Sequence, residues 1–219
     1  MADNTNDEVP TLPVTAAPVG EKLAEAVEAG GGSSRWTDAL HELGAIDRAT
    51  YDAVAMTPTP RLDWSIRALS RGANQSRLWL VIALLLAVGG GPRGRRAAIE
   101  GVISIGVTST VVNLGVKQIF RRDRPDRTKG PFTARHAAMP TSTSFPSGHS
   151  ASAFAFAHAV GRHVPEVSGP VRLLAGAVAY SRVHVGVHYP GDVVIGALIG
   201  ESVATVVGAA YESRVPRTS

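Results

Sequence analysis

Between residues 78 and 211 the chain is built around five apolar segments, roughly 78–91, 99–116, 150–160, 173–187 and 193–211. Short basic or Pro/Gly-containing turns separate them. These segments lack the polar alternation that would give a surface helix its wet face. A helix that crosses a bilayer needs about 20 apolar residues, with a usual range of roughly 17–25. Segments 99–116 and 193–211 reach that length and the other three are short. Crowded together, the five are best satisfied as a helical membrane bundle, because a helix pairs its own backbone groups where no water is available. The expected fold class is therefore all-α, a multi-pass transmembrane bundle of five to six membrane helices. Gly196 and Gly200, one helical turn apart, offer a face for close helix approach. Trp79, Tyr189 and Tyr211 stand near segment ends, where interface anchors are expected.

A mean hydropathy of +0.08 conceals this pattern, because two unlike regions are averaged. Residues 1–75 carry 6 basic and 11 acidic side chains, whereas 76–219 carry 16 and 7. The expected organisation has four parts. Residues 1–35 form a disordered acidic tail ending in the linker Gly30-Gly31-Gly32-Ser33-Ser34, with no sign of a cleaved signal peptide. Residues 36–75 form amphipathic helices suited to a membrane surface or a small helical cap, 76–212 form the membrane core, and 213–219 form a short basic tail. The chain has no cysteine, which excludes a disulfide scaffold, a thiol nucleophile and a thiolate-bound metal. Lysine occurs only at 22, 117 and 129 against 19 arginines, as in the coding bias of a GC-rich bacterium. Lys117, at the end of an apolar segment, is the one that stands out.

Three polar clusters interrupt the apolar pattern. Lys117 and Arg124 are seven residues apart, so a helix continued that far would carry both on one face. Pro146-Ser147-Gly148-His149 opens an apolar helix, and its free backbone N–H groups, the Ser147 hydroxyl and the open approach at Gly148 suit an anion. Ser181-Arg182 precedes His188 and Asp192, which are four residues apart around Pro190. That spacing lets the carboxylate hold one ring nitrogen and leave the other free to attack. Each cluster alone also has a plain reading, as juxtamembrane charge, a serine cap or a capping pair.

Together they describe one chemistry. Lys117, Arg124, Arg182, Ser147 and Gly148 form a site for a group with several charged oxygens, for which phosphate fits. His188 is the nucleophile, oriented by Asp192. His149 is the general acid for the leaving oxygen and later the base for water. Fixed cations can stabilise the equatorial oxygens of the transition state without Mg²⁺, so neither a metal nor another cofactor is expected.

Lys117-x6-Arg124-Pro125, Pro146-Ser147-Gly148-His149 and Ser181-Arg182-x5-His188-x3-Asp192 resemble, in order, the three signature motifs of the type-2 phosphatidic acid phosphatase superfamily, matching at all eleven defining positions. The resemblance spans roughly 60–212. It implies a helical bundle, usually of six spanning helices in membrane members, and metal-independent hydrolysis of a phosphomonoester or diphosphate through phosphohistidine. It also implies the roles just given to the eight site residues. On this reading the substrate is a lipid phosphate held in the bilayer: a polyprenyl pyrophosphate, phosphatidylglycerophosphate or phosphatidate. The same fold serves vanadate-dependent haloperoxidases, and helices alone would serve a lipid binder or transporter, although binding needs no nucleophile.

Nothing points to nucleic acid, and a homo-oligomer stays open. The expected location is the plasma membrane. With alternating segments, Arg93, Arg95, Arg96, Arg162, Arg172, Arg214 and Arg217 share one face, and the motifs share the other with Arg121, Arg122, Arg127, Lys129 and Arg135. The positive-inside bias then places the active site on the extracytoplasmic face. Glu201, in the middle of the last segment, is expected to pair with a polar neighbour inside the bundle. His184 is expected to be structural, whereas the sequence gives His158 and His163 no partner.

Overall fold

The computed structural model describes residues 35–127 and 136–214. The expectations for the N-terminal tail and for Lys129, Arg135 and Arg217 lie outside the described residues. The structure divides into two compact units at Ala49/Thr50, within the first described helix. Seven helices are described: α1 (Arg35–Met56), α2 (Pro60–Gly72), α3 (Arg77–Gly89), α4 (Gly91–Ile119), α5 (Gly148–His163), α6 (Ser168–His184) and α7 (Pro190–Glu212). No strand occurs among the described residues.

Local sequence sets the helix starts. Pro60 and Pro190 occupy first-turn positions whose N–H would be unpaired in any case. Ser147 caps α5 by accepting from the Ser150 N–H. Asp192 caps α7 by accepting from the Tyr189 N–H at 3.0 Å.

In the second unit α5 is central. It packs against α4, α7 and α6, with α3 against α4 and α2 against α6. Around Trp79, Phe156 and several valines the interior is filled by small residues: Ala151, Ala153, Ala155, Ala157 and Ala159 on α5, Ala97 on α4 and Ala204 on α7 are all fully buried. A side chain at Gly196 would meet the Ser147 carbonyl oxygen at 2.5 Å, and one at Gly200 the Ala151 carbonyl oxygen at 2.1 Å. The expected close approach of the last helix is thus real, and α5 is its partner. Many large apolar side chains point outward instead: Leu80, Leu84, Leu85, Val107, Leu114, Leu198 and Val206 are exposed. Small inside and large apolar outside is the packing expected where the surroundings are lipid.

Two helices are long and apolar enough to cross a membrane, Gly91–Ile119 and Pro190–Glu212. The pair Pro60–Gly72 and Asn74–Gly89, bent by 65°, passes the same test jointly, giving up to three spans where the sequence reading expects five to six. The difference comes from α5 and α6, which have only 16 and 17 residues. Trp79 also departs from its expected place at the interface. It is 1% exposed and packs against Phe156, with ring centroids 5.6 Å apart. Glu201 pairs with Arg172 Nη1 and His158 Nδ1, both at 2.6 Å, the polar neighbours that its sequence position led one to expect. His163 finds the fully buried Glu100 at 2.7 Å.

Candidate active site

The chain runs into and out of one end of the bundle at the three motifs. α4 arrives there at Lys117, α5 departs from Gly148, α6 arrives at Arg182 and α7 departs just after His188. Directly before Lys117 the α-helix widens into a π-turn over Val111–Val116, in which the Asn113 side-chain amide donates to the Ser109 carbonyl at 2.9 Å. Such turns shift the register of the following side chains. The helix ends at Ile119 and Phe120 is extended, so Lys117 and Arg124 are not two turns apart on one helix face as their spacing suggested. They converge all the same. Lys117 Nζ donates to Ser142 Oγ at 3.3 Å and Arg124 Nη2 to the same oxygen at 3.2 Å.

A cavity of about 220 Å³ lies between these elements. Its walls include Lys117, Arg124, Gly148, His149, Arg182 and His188, with Ser109, Asn113, Ser142 and Ser152 between them. No carboxylate is among the described lining residues. Arg124 is aimed by four donations: Nε to Ser142 O (3.0 Å), Nη1 to Val187 O (2.6 Å), and Nη2 to Ser142 Oγ (3.2 Å) and Thr143 O (3.2 Å). Burial pushes its guanidinium below the usual arginine range, and Arg127 adds to the shift. Arg182 is 3% exposed, is anchored through Nη1 to Ser70 Oγ, and has a buried Nε with no hydrogen-bond partner. An unanswered donor on a buried guanidinium is costly unless an anion completes it.

His188 sits in the turn between α6 and α7, where its N–H and that of Val187 both donate to the Arg182 carbonyl (3.2 and 3.1 Å). Gly186, at φ +72°, lets that turn close. His188 Nδ1 lies 3.4 Å from Asp192 Oδ2, too long and too angled for a good hydrogen bond. Nε2 lies 3.5 Å from Arg124 Nη1, on the cation side. Asp192 is fully buried and well satisfied, by Arg122 Nη1 at 2.9 Å, the Ser144 hydroxyl and the Tyr189 N–H. Burial pushes His188 down to about 4 despite Asp192, which raises it, so the imidazole is neutral with its Nε2 lone pair available.

His149 stands across the cavity. Its Nε2–H donates to Asn74 Oδ1 at 3.0 Å, which leaves Nδ1 as the nitrogen free for proton transfer. Burial, then the charges of Arg182, Lys117 and Arg124, push it down to about 3. Gln75 and Ser76 follow Asn74 at φ 53° and 58°, a left-handed pair that turns the chain from α2 into α3 and also lines the cavity.

Of the eight expected site residues, Lys117, Arg124, Gly148, His149, Arg182 and His188 line one cavity. Asp192 lies behind His188. Ser147 is fully buried as the cap of α5, its Oγ facing Ser150, and is not part of the lining. Sequence reasoning missed Asn74, Ser70, Ser142, Ser144 and Arg122, which hold the motif side chains from distant parts of the chain. It also missed Asp63, whose Oδ1 lies 2.9 Å from Nε2 of His184, the residue expected to be structural.

Comparison with known proteins places the chain in a family and a fold. Residues 98–215 match the family model of the PAP2 superfamily. The decaprenylphosphoryl-5-phosphoribose phosphatase of Mycobacterium tuberculosis H37Rv is 35% identical over 153 residues, covering 70% of this chain and 82% of its own. The protein of the same name from Mycolicibacterium smegmatis is 34% identical over 144 residues, or 65% and 75% of the two chains. In fold, the chain is similar to the transmembrane PAP2-type phosphatidylglycerolphosphate phosphatase from Bacillus subtilis. That match has a TM-score of 0.61 and 20% identity, covering 92% of this chain and 97% of that one. LpxE from Aquifex aeolicus gives 0.60 and 22%, covering 73% and 93%.

Proposed function

The chain belongs to the PAP2 superfamily of phosphatases, and from that premise we propose that it cleaves a lipid phosphomonoester through a phosphohistidine. One observation carries the mechanism. Three cations and two histidines surround a cavity without a carboxylate in its described lining, and His188 turns Nε2 toward it while Asp192 faces Nδ1. The substrate phosphate sits among Lys117, Arg124 and Arg182, with the backbone at Gly148 opening α5. His188 Nε2 attacks phosphorus as the bond to the leaving oxygen breaks, and Asp192 stabilises the positive charge that develops on the ring. His149 donates a proton from Nδ1 to the leaving oxygen, which departs as the lipid alcohol. Water, deprotonated by His149, then attacks phosphorus, the N–P bond breaks, and inorganic phosphate and free His188 are regenerated. The cations stabilise the equatorial oxygens in both steps.

Burial, with the nearby cations, holds both histidines neutral. A bound phosphate offsets most of the charge of Lys117, Arg124 and Arg182, which raises both pKa values and lets His149 arrive protonated. The membrane-embedded part is α3–α7, with the motif residues at one end. The substrate is of the polyprenyl-phosphoryl type, the class named in the mycobacterial relatives. The site opens on the extracytoplasmic face of the plasma membrane. Arg93 and Arg95 stand at the start of α4, Arg162 at the end of α5 and Arg172 in the first turns of α6, all at the end of the bundle away from the site.

The test is phosphate release by the detergent-solubilised protein from polyprenylphosphoryl-5-phosphoribose, polyprenyl pyrophosphate, phosphatidylglycerophosphate and phosphatidate, with and without EDTA. Release from at least the first is expected, unchanged by EDTA, with a loss of about a thousandfold or more in His188→Ala. Activity that survives the substitution, or that vanishes with EDTA, overturns the mechanism.

A further inference from the structure

The catalytic cavity has a neighbour that the reaction above does not use. It is larger, about 570 Å³, and lies between α2 and the segment 136–140. The two cavities share His149, Arg182 and Pro140, so whatever occupies the first borders directly on the second. Arg67 and Arg71 bring two further guanidinium groups, with Ser70 and Asn74 beside them and Met139 on the opposite wall. No carboxylate is among the described lining residues here either. Arg67 and Arg71 are four apart on α2, so their side chains share one face of the helix. Ser70, in the same wall, also accepts from Arg182 Nη1, so one helix face serves both chambers.

A simple phosphomonoester has one anionic group and uses the first chamber only. A lipid of the kind named for the mycobacterial relatives has two: a terminal monoester on the sugar, and a phosphodiester joining the sugar to the prenyl chain. We propose that the second cavity is an anion subsite that receives this phosphodiester, with Arg67 and Arg71 as its ligands. The sugar then bridges the two chambers past Arg182. This rests on the phosphatase reading and adds a substrate class to it: lipids whose cleavable phosphate lies one sugar or polyol away from a second, uncleaved phosphate. The chamber is an adequate size for that group, since small-molecule sites usually enclose about 300–1,000 Å³. Planar guanidinium groups suit the two unesterified oxygens of a diester.

The experiment compares kcat/KM of the full chain in detergent on two lipids with one tail, polyprenylphosphoryl-5-phosphoribose and polyprenyl monophosphate. The variants are Arg71→Gln, Arg67→Gln and the double variant. The expected result is a selective loss on the first lipid, about tenfold per arginine and mostly in KM, with the monophosphate within about twofold of wild type. Arg71→Lys, which keeps charge but not the fork, should recover part of the loss. Equal loss on both lipids, or none on either, overturns the subsite while leaving the phosphatase reading intact. Equal loss would mean that the arginines serve the membrane surface or the catalytic phosphate. Failure of the wild-type protein to release phosphate from either lipid overturns the functional reading and the subsite with it. Arg71 is exposed at the end of α2, so its substitution tests the proposal with the least demand on folding.

Discussion

His188 and His149 face one cavity but are held by different partners, a buried carboxylate and a side-chain amide. The carboxylate suits a ring that becomes positively charged when it bonds to phosphorus. The amide fixes a tautomer without adding charge, which suits a ring that must give its proton away. Both pKa values are depressed, to about 4 and about 3, mainly by burial. An anion that binds there raises both, so binding takes up protons and affinity must increase as pH falls. Sulfate, a dianion throughout the range, isolates this effect from ionisation of the ligand. Its Kd is expected to fall as pH drops from about 8 to 5, and the slope should shrink in His149→Gln. A Kd independent of pH would contradict the linkage. The side chains of the motifs were legible in sequence because charged groups and histidines are rare near bilayer-like segments. Asn74, Ser70 and Ser142 were not, because each is an ordinary polar residue whose role comes only from a contact 18 to 112 residues away.

Among the elements, the apolar runs located the five helices of the core, and their ends were the weaker part of the reading. The run 150–160 belongs to a helix over Gly148–His163, longer because Ser147 caps one end and Arg162 and His163 reach Glu100 at the other. The π-turn before Lys117 has no signature in composition, and without it the seven-residue spacing to Arg124 pointed to a continuous helix. The contact of α5 with α7 was visible as Gly196-x-x-x-Gly200, although not which helix would fill it. Gly200→Val must push α7 from the Ala151 carbonyl, and overpacking of this kind costs about 1–3 kcal/mol. The melting temperature in detergent should fall by several degrees and activity with it, because Asp192 starts the same helix. Gly176→Ala, with nothing within 4 Å, is the control and should behave as wild type. Equal melting temperatures for the two variants would rule out backbone contact at Gly200.

For the whole molecule, the proposed orientation rests on which end of the bundle carries surplus arginine. The chain has no cysteine, so single cysteines report on it cleanly. Asp123, exposed beside the site, and Ser213, exposed after α7, stand at opposite ends of the membrane-embedded part. In intact cells an impermeant maleimide should label Asp123→Cys and spare Ser213→Cys, and the reverse pattern would place the site on the cytoplasmic face.

The small-inside, large-outside packing has a consequence for how the protein responds to mutation. Scales learned from water-soluble proteins treat a lost leucine as damage and an enlarged alanine as a mild change. Here the ranking inverts: Leu84→Ala removes a side chain that is mostly exposed, whereas Ala155→Leu inserts three carbons where the described packing leaves no exposed surface. Tolerance to substitution should therefore map onto residue size more closely than onto hydrophobicity. Positions occupied by glycine and alanine would then carry more of the fold's information than its leucines.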